Sequence, residues 1–159
     1  MKWCLLLIVI VSGSVLAAEP LETVLREGDI IFQETRSEQA TVIALATGSR
    51  FSHTGIILRR NGRLVVYEAI GPVRVTSISH FVRQGIGGRY VVRRLKSGSP
   101  DAGTIARLKR YCDQQLGKPY DLGFMWSDEK MYCSELVWKA YRSGMGLAVG
   151  EPQKLGSLK

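Results

Sequence analysis

Apolar side chains recur at helical spacing from Cys133 onward, near the C-terminal end of the sequence. They follow at Leu136, Val137, Ala140 and Tyr141. This spacing predicts an amphipathic helix whose buried face starts at Cys133. A thiol in the first turn of a helix is close to unpaired backbone N–H groups and to the positive end of the helix dipole, and both favour the thiolate. The alternative is a small buried side chain, since free cysteine is among the most buried residue types.

A second pattern predicts a β-hairpin around Asn61-Gly62. Two apolar segments, 52–59 and 63–70, flank this dipeptide. Both of its residues tolerate the positive φ angles of a two-residue hairpin turn. A turn of this length fixes the register of the two strands, because it decides which residues lie opposite each other.

In the predicted register, His53 lies opposite Ile70 and Gly55 lies opposite Glu68. Side chains alternate between the two faces of a strand, so these four residues share a face. Glu68 is then the diagonal neighbour of His53, at a Cα distance of about 7–8 Å that a long carboxylate side chain can bridge. Gly55 leaves space for this contact. Taken alone, His53 is more typical of a hydrogen-bonded core histidine, and Glu68 of an exposed strand charge.

Shorter apolar runs and turn residues predict the remaining elements. The runs predict strands at 30–32, 73–75 and 89–95. Capping residues and periodicity predict helices at 37–47, 77–84 and 101–116. The segment 118–130 is rich in aromatic residues but has little periodicity, and loops of this kind often line functional sites.

Residues 1–18 predict an export signal. Lys2 is followed by an apolar run at 3–11 and by small residues at 12–18, which suit cleavage by signal peptidase. The run is shorter than the ~20 residues that a membrane-spanning helix needs, so it fits a retained anchor less well. The remainder, 19–159, is long enough for one domain with its own core. We therefore expect an exported, single-domain protein in the periplasm or outside the cell.

The chain is basic, with a formal net charge of +8 at pH 7. A basic exported protein is attracted to anionic envelope polymers or lipid head groups, but a scattered excess of Lys and Arg is also typical of a solvated surface. No pattern of basic and aromatic residues indicates a nucleic-acid partner. The sequence predicts no particular oligomeric state.

Cys112 and Cys133 are the cysteines that remain after the predicted signal peptide. An oxidising compartment would allow them to form a disulfide, which competes with a reactive role for Cys133. Cys112 also fits a buried helical stripe, together with Ile105, Leu108 and Leu116, and this explains it without a disulfide. The cysteines and histidines match no standard zinc spacing, so the sequence predicts neither a metal nor another cofactor.

The predicted hairpin and helix together provide the groups that a cysteine hydrolase needs. Such an enzyme uses a thiolate, an imidazole that accepts and returns the proton, and a polar group that orients the imidazole. Cys133, His53 and Glu68 can fill these roles in that order. The backbone N–H of Cys133 can stabilise the oxyanion of the transition state, where one such donor contributes ~3–4 kcal/mol.

Five short motifs, taken together, resemble the circularly permuted, NlpC-type papain-like hydrolases of the YiiX/YaeF group. They occur in the order of that group and extend over most of the sequence after the signal peptide. The motifs are Gly28-Asp29-Ile30-Ile31-Phe32, Ser52-His53-Thr54-Gly55, Tyr67-Glu68-Ala69, Gly117-Lys118-Pro119-Tyr120-Asp121 and Tyr132-Cys133-Ser134-Glu135-Leu136.

The resemblance implies a papain-like α+β fold with a mainly antiparallel sheet packed against helices, in which the His-bearing strands precede the Cys-bearing helix. It also implies a catalytic triad of Cys133, His53 and Glu68, with Tyr120 as a substrate-binding wall of the site. Members of the group usually continue well past the Cys-bearing helix, whereas this sequence ends at Lys159. We therefore expect a domain that is short at its C-terminus.

The expected function is that of an exported thiol amidase or peptidase without a cofactor. Its substrates would be cell-wall peptides or amide-linked lysine. One alternative keeps the triad but transfers or hydrolyses the acyl group of a lipid. Another is a catalytically silent envelope-binding module in which Cys133 is joined to Cys112.

Overall fold

The computed structural model describes residues 21–151, and the predicted signal peptide lies outside this range. The strands are β1 (Ile30–Gln33), β2 (His53–Arg60), β3 (Arg63–Ala69), β4 (Val73–Ser77) and β5 (Tyr90–Arg93). The helices are α1 (Leu21–Val24), α2 (Glu38–Thr47), α3 (Ile78–Gln84), α4 (Ala102–Gln115) and α5 (Cys133–Met145), with a 3-10 turn at Ile86–Gly88. Within residues 21–151, every helix is too short or too polar to cross a bilayer.

The five strands form one antiparallel sheet in the order β4-β3-β2-β1-β5. The predicted register of β2 and β3 is confirmed, because Gly55 lies opposite Glu68. The turn between them has positive φ at both Asn61 and Gly62, as a two-residue turn of this kind requires. One predicted pair does not form: β3 ends at Ala69, ahead of the turn into β4, and the strand partner of His53 is Gln33 on β1.

Helices cover both faces of the sheet. α4 and α5 pack on one face, where Ile56, Tyr67 and Tyr141 belong to the same buried cluster. α3 covers the other face, where Phe81 packs against Ile57. The chain therefore has the expected α+β architecture, with a hydrophobic layer on each side of the sheet.

Cys112 is a buried thiol of α4 and not a disulfide partner. It is fully buried in the cluster under α4 and α5, as the helical stripe predicted. Burial raises the pKa of its thiol to about 12, so it remains protonated and unreactive at neutral pH. Both Cys112 and Cys133 are free, so the structure gives no support to a disulfide between them.

Gly55 allows β3 to approach β2 closely, which differs from the open space expected there. A Cβ atom at Gly55 would lie 2.4 Å from Cγ1 of Val66 and 2.7 Å from the carbonyl oxygen of Tyr67. We expect Gly55→Ala to destabilise the protein by about 1–3 kcal/mol, because overpacking forces the two strands apart. Urea denaturation measures this change.

Gly103→Ala is the matched control, since Gly103 lies in the first turn of α4. Its nearest neighbour is a carboxylate oxygen of Asp101, a side chain that can move. Alanine also favours the helix, so this variant should be as stable as the parent or more stable. An unchanged unfolding midpoint for Gly55→Ala would contradict the close approach of the two strands.

Candidate active site

Cys133 is the first residue of α5 and is 5% exposed. The turn before it is fixed by Glu135, whose Oε2 accepts a hydrogen bond of 3.4 Å from the backbone N–H of Tyr132. Burial raises the pKa of the Cys133 thiol. Hydrogen bonds from His53 and from the backbone N–H groups of Thr54 and Ser134 outweigh burial, so the pKa lies below its usual value.

His53 is the first residue of β2, and its ring lies between Glu68 and Cys133. Its Nε2 lies 2.6 Å from Oε2 of Glu68, so the contact predicted from the hairpin register is formed. The ring is also within hydrogen-bonding distance of the Cys133 thiol, and with Nε2 occupied by Glu68 this leaves Nδ1 to face the sulfur. Phe81 of α3 stacks against the ring at a centroid distance of 5.5 Å. The imidazole is therefore held in one orientation between a thiol and a carboxylate.

Glu68 is fully buried and accepts three hydrogen bonds. Besides His53, Arg74 donates from Nε at 3.0 Å and Thr76 from Oγ1 at 2.5 Å, both to Oε1. Burial raises the pKa of the carboxyl, but the bonds from His53, Thr76 and Arg74 lower it to about 2. Glu68 is therefore ionised at neutral pH, with its charge shared between His53 and Arg74.

Arg74 and Thr76 were missed by the sequence analysis. The signal that could have found them is the turn around Gly71-Pro72, which joins β3 to β4 and places Arg74 directly opposite Glu68. A cross-strand pair of opposite charges is the arrangement that such a register favours.

The electrostatics of the cluster favour an ion pair between Cys133 and His53. Burial lowers the pKa of the imidazole, but its hydrogen bonds to Cys133 and Glu68 raise it to about 9. The thiol pKa shifts in the opposite direction. Both shifts favour a thiolate beside an imidazolium, and this pair can act as nucleophile and acid.

Tyr120 lies in the loop between α4 and α5, next to Cys133. Its hydroxyl is within hydrogen-bonding distance of the thiol, and burial raises the pKa of the phenol. The loop is held in place by Asp121, whose carboxylate accepts bonds from the backbone N–H groups of Gly123 and Met125. Tyr120 and His53 both line an open groove of about 820 Å³. Tyr120 therefore lies beside Cys133 and lines this groove, and its substrate-binding role stays a prediction.

We expect Tyr120→Phe to lower kcat by about 10- to 1,000-fold while KM changes little. The hydroxyl next to the sulfur is placed to donate to an oxyanion that forms only in the transition state, so its removal affects kcat. Steady-state kinetics measure the effect. Tyr111→Phe is the control, since Tyr111 lies on α4 and packs against the core cluster.

The loss for Tyr120→Phe should not be accompanied by a lower unfolding midpoint. An equal loss for both Phe variants would contradict a specific function of the Tyr120 hydroxyl.

Comparison with known protein families shows which family the chain belongs to. Residues 24–159 match the family described as permuted papain-like amidase enzymes, YaeF/YiiX, C92. The chain belongs to this family. Members of the C92 family are papain-like cysteine amidases or peptidases, so the protein is an enzyme of this class. The predicted family and α+β papain-like fold are confirmed.

Two relatives support the assignment to the C92 family. The YiiX protein of Escherichia coli strain K12 is 44% identical over 151 residues, which covers 95% of this chain and 72% of YiiX. A crystal structure of yiiX from Escherichia coli O157:H7 has a TM-score of 0.80 and 46% identity, over 83% of this chain and 73% of that chain.

The second of these relatives is described as a metalloprotein. In the part of the chain that the structure describes, no three His, Cys, Asp or Glu side chains are close enough to hold a metal ion. His53 and Glu68 are hydrogen-bonded to each other, and Glu68 is also bonded to Arg74. The site residues of this chain therefore do not fit a metal centre.

Proposed function

We propose that this C92 enzyme hydrolyses amide bonds with Cys133 as the nucleophile, His53 as the acid and base, and Glu68 as the group that orients His53. The observation that carries the proposal is that the His53 ring lies between the Cys133 thiol and Glu68, with Nε2 hydrogen-bonded to Glu68 at 2.6 Å. All three residues are buried, which strengthens each of these interactions.

In the proposed first half-reaction, the thiolate attacks the carbonyl carbon of the amide and forms a C–S bond. The negative charge moves to the carbonyl oxygen, where the backbone N–H of Cys133 and the hydroxyl of Tyr120 stabilise it. This N–H is available because the first residues of a helix have no acceptor within it. When the C–N bond breaks, imidazolium His53 gives its proton to the departing amine, and a thioester remains on Cys133.

In the proposed second half-reaction, neutral His53 takes a proton from a water molecule, which attacks the thioester carbonyl. The C–S bond breaks, the carboxylic acid leaves, and the thiolate–imidazolium pair is restored. Glu68 stays ionised throughout, as its low pKa requires, and stabilises the imidazolium each time it forms.

The proposed substrates are cell-wall peptides or lysine amides, reached by export through the signal sequence at residues 1–18. Support comes from the apolar run with small residues behind it, and from the amidase family of the chain. Because the groove beside His53 and Tyr120 is only partly enclosed, it can receive a peptide.

Trapping the thioester tests the proposed function. The mature protein is mixed separately with cell-wall peptides and with phospholipid vesicles, quenched in acid and analysed by mass spectrometry. We expect an acyl adduct on Cys133 from the peptides, and none on Cys112, because that thiol is buried and protonated. An adduct from phospholipid alone, or an adduct on Cys112 alone, would contradict the proposal.

A further inference from the structure

The groove beside the candidate triad has charge of one sign. Its lining includes His53 and Tyr120 of the candidate site and two arginines, Arg36 and Arg83. Arg36 comes from the segment between β1 and α2, and Arg83 from the last turn of α3. Both arginines are exposed to solvent. Among the described residues that line the groove, none is Asp or Glu. The fixed charges of these lining residues are thus both positive.

Arg36 and Arg83 form no ion pair with any residue in the described range 21–151. Other arginines near the sheet differ in this respect: Arg74 is paired with Glu68 at 3.0 Å, and Arg50 with Glu34 at 2.8 Å. Glu34 and Glu38 each lie two residues from Arg36 in the sequence. Glu34 is already bound by Arg50, which lowers the pKa of its carboxyl. The two groove arginines therefore have their full charge available to a ligand.

We propose that the substrate of this enzyme carries a carboxylate close to the scissile amide, and that Arg36 and Arg83 recognise it. The inference rests on the proposed hydrolysis by Cys133, because it concerns the substrate of the same site. A guanidinium presents a planar set of N–H donors that matches a carboxylate, and charge-assisted bonds of this kind are stronger than neutral ones. Acidic peptides are the substrate class that this groove fits.

The first arm of the test compares peptide substrates that differ only in Glu or Gln beside the cleaved amide. For the parent enzyme we expect kcat/KM to be about tenfold or more higher for the Glu peptide. The ratio of kcat/KM for the Glu peptide to that for the Gln peptide should fall to near one in the double variant Arg36→Gln/Arg83→Gln. Arg63→Gln is the control, because Arg63 is an exposed arginine beside the hairpin turn and does not line the groove.

The second arm requires no knowledge of the natural substrate. Iodoacetate and iodoacetamide alkylate the same thiolate with loss of iodide, but only iodoacetate is anionic. The ratio of their rate constants at Cys133 cancels any change in thiolate pKa. At low ionic strength we expect this ratio to fall about three- to tenfold in Arg36→Gln/Arg83→Gln, to stay unchanged in Arg63→Gln, and to depend less on the variant in high salt.

The two arms separate a wrong substrate class from a wrong nucleophile. If both reagents label Cys133 rapidly but their ratio is the same in all variants, the anionic substrate is overturned and the nucleophile stands. Equal kcat/KM values of the parent enzyme for the Gln and Glu peptides also overturn the proposed anionic substrate. If neither reagent labels Cys133 faster than a free thiol in solution, the proposed hydrolysis itself is contradicted.

Discussion

Cys133→Ala should lower amide hydrolysis by about 10⁴-fold or more, because it removes the atom that forms the covalent bond to the substrate. The remaining rate would come from binding and from the oxyanion donors, which do not depend on the sulfur. The free energy of unfolding should change by only about 1 kcal/mol, since the substitution deletes one buried atom. Turnover assays and urea denaturation on the same preparation measure both quantities.

Cys112→Ala is the matched control for this prediction. It makes the same chemical change in a thiol that is also buried but whose pKa is raised to about 12. We expect this variant to keep its activity and to lose some stability, because Cys112 packs in the cluster under α4 and α5. Loss of activity in the Cys112 variant together with turnover in the Cys133 variant would reverse the assignment of the two thiols.

Glu68→Gln is expected to lower kcat/KM by about 10²- to 10⁴-fold, with a changed pH profile. Arg74 and Thr76 both donate to Oε1, so the amide oxygen of a glutamine would face them and its NH₂ group would face Nε2 of His53. A protonated Nε2 is also a donor and cannot bond to this NH₂ group, so the imidazolium form of His53 is disfavoured.

The sign of the pH effect follows from the raised pKa of His53. In the parent enzyme the imidazolium persists until the pH reaches about 9, so activity should fall above that value. In Glu68→Gln the alkaline fall should move to lower pH, toward the ordinary value for histidine, because the charge that stabilised the imidazolium is absent. The pH dependence of kcat/KM measures this shift.

Glu129→Gln controls for the chemical change, because Glu129 is an exposed carboxylate of the loop before α5. It should leave both the rate and the pH profile unchanged. A Glu68→Gln variant that is less active but keeps the parent pH profile would indicate a purely structural effect, and would contradict the proposed influence of Glu68 on His53.

The hairpin and the contact between His53 and Glu68 could be predicted because they depend on local chemistry. The Asn61-Gly62 turn determines the register of β2 and β3, and that register brings Glu68 to His53. The helix that begins at Cys133 was predicted for a similar reason, since its periodicity is contained in a short segment. Each of these predictions needed only a few neighbouring residues.

The parts that could not be predicted depend on contacts between distant segments. α5 packs on one face of the sheet, whereas the His53 ring lies on the other face with Phe81. The His53 ring and the N-terminus of α5 meet at the start of β2, where the backbone N–H of Thr54 also lowers the pKa of the Cys133 thiol. No pattern within either segment specifies this crossing, because it results from how α5 packs across the strands.

The charge of the groove also could not be predicted from the sequence. Arg36 and Arg83 lie in segments with no shared periodicity, and only the folded chain brings both to the groove beside His53. Their sequence neighbours also give no sign that Glu34 is bound by Arg50. The proposed charge recognition therefore depends on which ion pairs form after folding.

The most direct test of the central claim is the rate of Cys133 alkylation by iodoacetamide as a function of pH, with the site of labelling mapped by mass spectrometry. A thiolate paired with the His53 imidazolium predicts rapid labelling well below pH 8.5, the approximate pKa of a free thiol, and a delayed onset of labelling in His53→Ala. Labelling that begins only near pH 8.5 or above, and that is the same with and without the imidazole, would contradict the account.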